Sequence, residues 1–272
     1  MDTVLTAPTA TVFEAFSGIV AALTYIIVGV VVFARAPHDV RARLFLATGL
    51  TAVAPYAVPF IIWTKGAGAA LALPVLTLVA VSLVTGSLVL FHFSQTFPWR
   101  RPWLRAHARW LYAGYVVLPA MVAAVVPVLK NVFDGLAAAD ATGAVSVGIA
   151  EGLGLVLLLV VLPLVFVAGV VMPCAAIYSL YQTWLAAREA GQEGARVTTY
   201  WILASQMAGG VLAVLIIPAL RVVAPSGPWL TGAAVLLAAF SLLMPLAFAV
   251  GVWKYRVLDL PADDGPPVSR PA

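Results

Sequence analysis

Two glutamates and one tyrosine are the side chains of this sequence best suited to holding a small ligand inside an apolar protein. Glu14 precedes Tyr25 by eleven residues, and Glu151 begins another apolar segment. Residues eleven apart lie on one face of an α-helix, because eleven residues make about three turns. The pattern predicts an outward-facing cavity for a cationic or hydroxylated ligand, or a pH-sensitive pair of carboxylates. Alternatively, both glutamates lie at lipid-headgroup depth, where a helix N-terminus favours negative charge.

A histidine and a glutamine form a second polar feature, near the end of the third apolar segment. His92 and Gln95 are three residues apart and share a helix face, and Pro98 and Pro102 should end the helix. This pattern predicts a polar hinge that relays motion towards the cytoplasm. The alternative is a helix-end histidine that packs on, or hydrogen-bonds to, a neighbouring helix.

Small residues at helical spacing mark two further helix faces. Ser205, Gly209 and Ala213 repeat every four residues, as do Gly18 and Ala22. Such spacing lets two membrane helices approach closely. It indicates either packing within the chain or an interface with a second copy or another membrane subunit, with Gly209 as the candidate interface residue.

The remaining residue types exclude most chemistries of buried membrane sites. Residues 229–253 hold no lysine for a retinal Schiff base, and His38, His92 and His107 cannot supply a bis-histidine haem site, since only His92 lies in an apolar stretch. The sequence contains no HExxH pair or carboxylate–histidine cluster for a metal, and no GxSxG, Walker or GxGxxG motif. Cys174 stands alone, so we expect no disulfide within the chain and a buried thiol. We therefore predict a protein that is not an enzyme and binds no cofactor.

The composition indicates which elements must position these residues. Of 272 residues, 63% are apolar and only 10% are charged, against about 25% charged in a soluble domain. A membrane-spanning helix needs about 20 apolar residues, and seven such segments occur, at about 12–34, 43–63, 70–97, 109–129, 147–187, 197–223 and 229–253. The sequence predicts an all-α bundle of seven transmembrane helices over residues 1–260 and a disordered cytoplasmic tail over residues 261–272.

The basic residues predict the orientation of this bundle, because positive side chains concentrate in cytoplasmic loops. With seven spans and the N-terminus outside, twelve of the fifteen basic residues lie inside, namely Arg35, Arg41, Arg43, Arg100, Arg101, Arg105, Arg109, Arg188, Arg196, Lys254, Arg256 and Arg270. Tryptophan favours the membrane–water interface. We expect interfacial tryptophans inside at positions 99, 103, 110, 184, 201 and 253, and outside at positions 63 and 229. The prediction is N-out and C-in.

The fifth segment is too long for one crossing, since 41 residues extend about 60 Å as a helix. Either one span continues as an amphipathic extension from about Tyr178 to Ala190, or a tight hairpin turns between Pro163 and Pro173. A hairpin would move the basic residues after it to the outside, which the charge distribution disfavours. We therefore expect one span with an extension, and a short link before it over residues 131–146.

Three stretches carry a likeness to a known family. They are LFHFSQTFP at 90–98 with the basic loop after it, the extension that holds Tyr178, Tyr181 and Arg196, and VWKYRVLDL at 252–260. Together they resemble the seven-helix sensor region at the N-terminus of bacterial histidine kinases and related signalling enzymes. The resemblance implies a membrane-embedded input module whose last helix leads to a cytoplasmic output domain. Because no kinase or cyclase sequence follows residue 260, we expect the output to lie on a separate partner.

These observations predict a non-enzymatic sensor or receptor-like module in the inner membrane of a bacterium. Such a module contacts the lipid bilayer and another membrane or cytoplasmic protein, and no nucleic acid. One alternative is a structural or accessory subunit of a membrane complex, in contact with pigments, quinones or lipids. The other is a small-solute transporter built on proline-kinked helices.

Overall fold

The computed structural model describes residues 9–66, 68, 72–142, 159, 162–223 and 228–260, and the regular elements in these ranges are all helical. The α-helices are α1 Thr9–Arg35, α2 Val40–Lys65, α3 Leu73–Thr96, α4 Pro102–Thr142, α5 Leu162–Phe166, α6 Met172–Glu189, α7 Glu193–Val211, α8 Ile217–Val223 and α9 Pro228–Trp253. Two π-helical turns, Val167–Val171 and Leu212–Ile216, join α5 to α6 and α7 to α8. A short 3-10 turn, Val257–Asp259, follows α9. The prediction of an all-helical fold is confirmed for the described residues.

Six of the described helices close a ring. The helix α1 packs against α2 and α9, α2 packs against α3, and α3 packs against α6. The ring is completed because α6 packs against α7 and α7 packs against α9. The helix α4 lies outside this ring and packs on α3.

The outer surface of the described helices is strongly apolar. Large side chains such as Val116, Leu215 and Trp229 are 70%, 62% and 75% exposed. Five stretches are long and apolar enough to cross a membrane, namely Gly18–Arg35, Leu73–Thr96, Pro102–Asn131, Val167–Glu189 and Pro228–Trp253. An apolar surface of this extent suits hydrocarbon rather than water. The described helices therefore form a bundle compatible with contact with a lipid bilayer, while seven crossings and the N-out, C-in orientation stay predictions.

The helix that covers the fourth apolar segment is longer than predicted. It spans 41 residues and continues to Thr142, through Pro119 and Pro127. The prediction of a link over residues 131–146 is therefore wrong for residues 131–142. Four of these twelve residues are alanine, which has the highest helix propensity, and this favours continuation of α4.

The fifth segment contains one continuous helical rod in its described part. The helix α5, the first π turn and α6 follow one another from Leu162 to Glu189 without a reversal of the chain. The structure thus shows no hairpin between Pro163 and Pro173, and the helix continues beyond Tyr178 to Glu189. That this continuation is an amphipathic extension outside the membrane span stays a prediction. Gly191, at a φ of 66°, then adopts the left-handed conformation that ends the rod.

Two expectations about burial are wrong. Cys174 is exposed, because an apolar helix in a membrane does not need to bury every small apolar side chain. Trp99, expected as an interfacial anchor, is only 4% exposed and packs with Ala187, Ala195 and Leu260. The loop between α3 and α4 therefore folds inwards under the bundle instead of presenting this indole ring to the headgroups.

Glycines set the close approach of two helix pairs in the ring. A Cβ atom on Gly29 would lie 2.9 Å from the Cα atom of Leu46, on α2. A Cβ atom on Gly251 of α9 would lie 2.6 Å from the Cγ2 atom of Thr198, on α7. Because such contacts are too short for any other residue, glycine is what allows these backbones to meet.

Candidate functional site

A cavity of about 470 Å³, called here the central cavity, lies inside the helix ring. Its walls come from α1, α2, α3, α6, α7 and α9 and from both π turns. Its polar lining residues are Tyr25, Thr48, Thr51, Ser82, Ser87, Ser205, Gln206 and Ser241, and none of the described lining residues is charged. Mostly apolar walls with a few polar groups are typical of sites for neutral amphiphilic molecules.

The hydroxyl groups around the central cavity are mostly bonded within their own helices. Thr48, Ser87 and Ser241 each donate to the carbonyl oxygen four residues earlier, at 2.9, 3.0 and 2.8 Å. Ser205 is different, because its hydroxyl donates from α7 to the carbonyl oxygen of Phe240 on the neighbouring helix α9, at 2.6 Å. A hydroxyl oxygen that has donated its proton still accepts hydrogen bonds. The cavity can therefore accept hydrogen bonds from a neutral ligand that carries O–H or N–H groups.

Both π turns border the central cavity, and each ends two residues before a proline. The turn Val167–Val171 ends two residues before Pro173, and the turn Leu212–Ile216 ends two residues before Pro218. Proline lacks an N–H and clashes with the carbonyl four residues earlier, so local widening of the helix relieves the conflict. Gly169, from the first turn, lines the cavity, and Ala213, from the second turn, does the same. The two irregular helices thus place their non-α turns at the candidate site.

A group of five aromatic rings in contact with one another, called here the aromatic cluster, extends from the cavity wall. Tyr25 stacks on Phe45 with a ring-centre distance of 5.7 Å, and Phe45 stacks on Phe248 at 4.2 Å. Phe93 lies 5.6 Å from Phe248 and 5.1 Å from Phe97. The exposed fraction is 7% for Tyr25 and 0% for the four phenylalanines. The cluster therefore joins α1, α2, α3 and α9 into one tightly packed unit.

Arg41 lies one helical turn before Phe45 and is almost completely buried, with 2% exposure. Its Nε atom donates to the Oδ1 atom of Asp39 at 3.0 Å, and its Nη2 atom donates to Oδ2 at 2.6 Å. The backbone N–H of Arg41 also donates to Oδ1, at 2.7 Å. The buried positive charge is thus paired with a carboxylate from the loop between α1 and α2.

The same guanidinium holds two distant segments of the chain. Its Nη1 atom donates to the carbonyl oxygen of Pro98 at 2.7 Å and to that of Val257 at 3.3 Å. Its Nη2 atom donates to the carbonyl oxygen of Leu258 at 2.7 Å. We call the connected groups the arginine node, which comprises Arg41, Asp39 and the carbonyl groups of Pro98, Val257, Leu258 and Leu260.

The turn after α9 presents these carbonyl groups to the arginine node. The helix α9 ends at Trp253, and Arg256 then adopts a left-handed conformation with a φ of 52°. This conformation costs a residue other than glycine about 1 kcal/mol or more, so the surrounding contacts must hold it. Val257 is 1% exposed, which buries the turn against the bundle.

Arg101 makes a second connection at the same end of the ring. Its Nη2 atom donates to the carbonyl oxygen of Ser179 at 2.6 Å and to the Oγ1 atom of Thr183 at 2.7 Å. Ser179 in turn donates to the carbonyl oxygen of Ser94, at 2.9 Å. Burial lowers the pKa of Arg101 because it removes water from the charged form. The loop after α3 is therefore fixed to α6 as well as to the arginine node.

Two of the predicted site residues meet at one place. Tyr25 and Gly209 both line the central cavity, although they were predicted for different roles. Glu14 lies in α1, about 16 Å from Tyr25 along the helix axis, and its side chain lies outside the described residues. Glu151 also lies outside the described residues. The predicted outward-facing cavity lined by the two glutamates, and the alternative of a pH-sensitive pair of carboxylates, therefore stay predictions.

His92 and Gln95 are both buried near the end of α3, with 5% and 7% exposure. The Nδ1 atom of His92 lies 3.3 Å from the hydroxyl oxygen of Tyr115 on α4, within hydrogen-bonding distance. The carbonyl oxygen of Gln95 accepts a hydrogen bond from the backbone N–H of Arg101 at 2.8 Å. The structure thus places His92 in the packed contact between α3 and α4, as in the second interpretation of this motif.

Sequence reasoning missed the arginine node and the π turns. Arg41 was interpreted only as one of several positive loop residues, and its burial depends on carbonyl groups 57 and 216 residues away. The presence of Asp39 two residues before it was an available signal, because a carboxylate at that spacing can pair with an arginine. The prolines of the apolar segments predict kinked helices, but a kink does not specify a π turn such as those before Pro173 and Pro218.

Comparisons of the chain with protein-family models, with curated proteins and with solved structures find no match.

Proposed function

We propose that this chain is a non-enzymatic membrane sensor, which binds a small neutral amphiphilic molecule in the central cavity and signals through a separate partner protein. The observation that carries the proposal is a continuous path of packed residues from the cavity to the C-terminal turn. Tyr25 belongs to both the cavity wall and the aromatic cluster. Phe97, at the other end of the cluster, directly precedes Pro98 in the arginine node.

The path offers a physical means of transmission. A ligand that moves Tyr25 changes its stacking on Phe45, which is packed against Phe93 and Phe248. These rings lie on four helices, so their rearrangement changes the positions of the groups bonded to Arg41. Packed cores pass between discrete arrangements rather than deforming smoothly, which is what a two-state sensor requires. The turn Val257–Asp259 is the output element in this proposal.

The proposed topology has seven spans, with the N-terminus outside and the C-terminus in the cytoplasm of a bacterium. Beyond the five apolar stretches, α2 has 26 residues, and α7 with the second π turn and α8 forms a rod of similar or greater length. At 1.5 Å per residue, 26 residues extend about 39 Å, enough to cross the hydrocarbon layer. The arginine node, Arg101 and the basic residues near them then face the cytoplasm, in agreement with the positive-inside rule.

Reporter fusions test this topology. Green fluorescent protein fused after residue 272 should fluoresce, and alkaline phosphatase at the same place should be inactive, because both then lie in the cytoplasm. Alkaline phosphatase inserted at Gly68, between α2 and α3, should be active. The opposite pattern at either position overturns the proposed orientation.

A matched pair of glycine variants tests the ligand site. A Cβ atom on Gly210 of α7 or on Gly232 of α9 would meet nothing within 4 Å, but only Gly210 lines the central cavity. We expect a leucine at position 210 to fill part of the cavity and a leucine at position 232 to face outwards. Small molecules that co-purify with the full chain are identified by mass spectrometry for the wild type, Gly210→Leu and Gly232→Leu. The amount of bound molecule should fall at least tenfold in Gly210→Leu and should not change in Gly232→Leu.

Signalling is tested on the same three proteins in lipid nanodiscs. When the identified molecule is added back, amide hydrogen exchange over residues 256–260 should change in the wild type and Gly232→Leu, and not in Gly210→Leu. Equal recovery of the molecule from both variants, or unchanged exchange in the wild type, overturns the proposal. Uptake of the molecule into liposomes would indicate a transporter, and a stoichiometric set of membrane subunits in native membranes would indicate an accessory subunit.

A further inference from the structure

Gln206, on α7, brings a carboxamide group to the wall of the central cavity. Its Nε2 atom donates to the Sδ atom of Met244 on α9 at 2.9 Å, and this is the side chain's one hydrogen bond within the part of the chain that the structure describes. A thioether sulfur is only a weak acceptor, whereas a carboxamide carries two N–H donors and one carbonyl oxygen. Among the described residues, the oxygen and one N–H of Gln206 are therefore left for a ligand.

The helix surface beside this carboxamide is open. Gly209 and Gly210 follow Gln206 by three and four residues, so they lie next to it on the same face of α7, and both line the cavity. A Cβ atom on Gly210 would meet nothing within 4 Å, and one on Gly209 would meet only the Cβ atom of Phe240, at 4.0 Å. A ligand group can therefore approach the carboxamide from this side.

A carboxamide offers a donor and an acceptor side by side, and this determines which head group matches it. A primary amide or a protonated carboxylic acid presents an acceptor beside a donor, and either one can form two parallel hydrogen bonds with Gln206. An ester or a ketone would satisfy only the N–H and leave the oxygen unpaired in an apolar cavity, which weakens binding. A charged head group would find no counter-charge, because none of the described lining residues is charged.

We propose that the central cavity recognises a fatty amide or a protonated fatty acid, through paired hydrogen bonds between its head group and the carboxamide of Gln206. Apolar lining residues such as Leu83, Leu90 and Ile177 suit an alkyl chain, and about 470 Å³ is within the range of small-ligand pockets. At neutral pH the amide is favoured, because an acid must first take up a proton. The inference rests on the proposed ligand site and names the class of ligand that the site takes.

The same hydrogen bonds connect the head group to the aromatic cluster. Met244 precedes Phe248 by one turn of α9, and both side chains are 0% exposed and belong to one hydrophobic core. In the proposed complex, an N–H of Gln206 that donates to the ligand's carbonyl oxygen exchanges a weak acceptor for a stronger one. Met244 then loses its contact with α7, next to the rings that lead towards the arginine node.

The test uses the full chain in lipid nanodiscs and three probes with the same alkyl chain, namely octanamide, octanoic acid and methyl octanoate. The ester is the matched probe, because it keeps the carbonyl acceptor and has no donor. Gln206→Met removes the carboxamide with little change in side-chain size. Gln182→Met is the control variant, since Gln182 on α6 is also half-buried and does not line the central cavity. Calorimetry measures binding, and titrations of protein-free nanodiscs are subtracted.

We expect the wild type and Gln182→Met to bind octanamide about tenfold more tightly than methyl octanoate, since the ester leaves the oxygen of Gln206 unpaired. In Gln206→Met the two probes should bind about equally. Tighter binding of octanamide than of octanoic acid at neutral pH identifies an amide ligand, and the reverse order identifies an acid. The inference is overturned if the wild type binds none of the probes, if the preference survives in Gln206→Met, or if Gln182→Met loses it.

Gly210→Leu separates this inference from the proposed function. If the wild type binds octanamide and methyl octanoate equally and Gly210→Leu loses both, head-group recognition is overturned while the ligand site stands. Probes that still bind to Gly210→Leu occupy another place, which overturns the inference. The comparison of octanamide with methyl octanoate in the wild type needs no variant, so it decides the outcome even if Gln206→Met does not fold.

Discussion

The arginine node and the central cavity differ in which parts of the chain their hydrogen bonds join. The bonds of Arg41 connect residues 57, 216 and 217 positions apart, so they tie three segments together at one end of the ring. Around the central cavity, hydroxyl groups such as those of Thr48 and Ser87 donate to carbonyl groups four residues earlier in the same helix. The hydrogen bonds of the arginine node thus join distant segments of the chain. The hydroxyl groups of the central cavity bond mainly within their own helices.

This difference in hydrogen bonding determines how each region responds when the helices move. Hydroxyl groups that donate to carbonyl groups of their own helix keep these partners when neighbouring helices move. The walls of the central cavity can therefore shift with the loss of few hydrogen bonds. The arginine node loses partners on any such movement, because its acceptors belong to different segments. In the proposed sensor function, a ligand would displace the cavity walls, and the node would convert that displacement into making or breaking contacts with the C-terminal turn.

Replacing Arg41 should produce the largest effect on stability. Arg41→Ala leaves the carboxylate of Asp39 without its guanidinium partner and removes the guanidinium donor from four carbonyl groups. Breaking a buried ion pair by removing one partner typically costs about 3–5 kcal/mol. We expect a loss of this size in the free energy of unfolding, measured by chemical denaturation in detergent.

Arg43→Ala is the control for this prediction. Arg43 is two residues away, is exposed and donates to the carbonyl oxygen of Pro37 at 2.8 Å. Its removal should cost less than about 1 kcal/mol, since exposed polar interactions contribute little. Arg41→Lys should recover only part of the loss, because a lysine cannot reproduce the planar set of donors. Equal destabilisation by Arg41→Ala and Arg43→Ala would contradict the central role of the node.

The positions of the helices could be predicted from the sequence, whereas the contents of the sites could not. Long apolar stretches must form helices in hydrocarbon. Pro98 and Pro102 correctly predict the boundary between α3 and α4. Residues 131–142 were mistaken for a link because their helix lies beyond the apolar stretch, where hydropathy gives no signal.

Burial of a charged residue is a tertiary property, and this is why Arg41 was interpreted as a loop cation. Its distant acceptors are backbone carbonyl groups, which leave no trace in the residue types of Pro98 or Val257. Gly209 and Tyr25 were recognised as candidates by type and spacing, but only the ring of helices brings them to one cavity. Sequence spacing relates residues within one helix and gives no register between helices.

The substitution Gly251→Ala should have an intermediate effect on stability and show how closely the helices of the ring pack. In Gly251→Ala the new Cβ atom would lie 2.6 Å from the Cγ2 atom and 2.8 Å from the Oγ1 atom of Thr198. Overpacking of this kind costs about 1–3 kcal/mol. We expect a lower melting temperature and a lower free energy of unfolding, because α7 and α9 must move apart.

Two further variants decide whether this loss comes from the contact itself. Gly210→Ala, at the central cavity, has no atom within 4 Å of its new Cβ and should not destabilise the protein. The double variant Gly251→Ala, Thr198→Ala should regain most of the lost stability, since it removes the Cγ2 and Oγ1 atoms that lie nearest to the new methyl group. Destabilisation of similar size by Gly210→Ala would mean that the cavity is as closely packed as the rest of the ring.

A pair of serine variants should have the smallest effect on stability. The pair compares a hydrogen bond between helices with one inside a helix, both in the wall of the central cavity. Ser205 donates to the carbonyl oxygen of Phe240 on the neighbouring helix at 2.6 Å, whereas Ser241 donates to the carbonyl oxygen of Leu237 in its own helix at 2.8 Å. Hydrogen bonds between membrane helices contribute about 0.6 kcal/mol on average and at most about 1.7 kcal/mol. Ser205→Ala should therefore cost an amount in this range, measured by reversible unfolding in mixed micelles. Ser241→Ala should cost less, because the carbonyl of Leu237 keeps its helical N–H donor and no contact between helices is lost. If Ser241→Ala proves the more destabilising of the two, the hydroxyls around the cavity hold the helices together, and its walls cannot move independently of the arginine node.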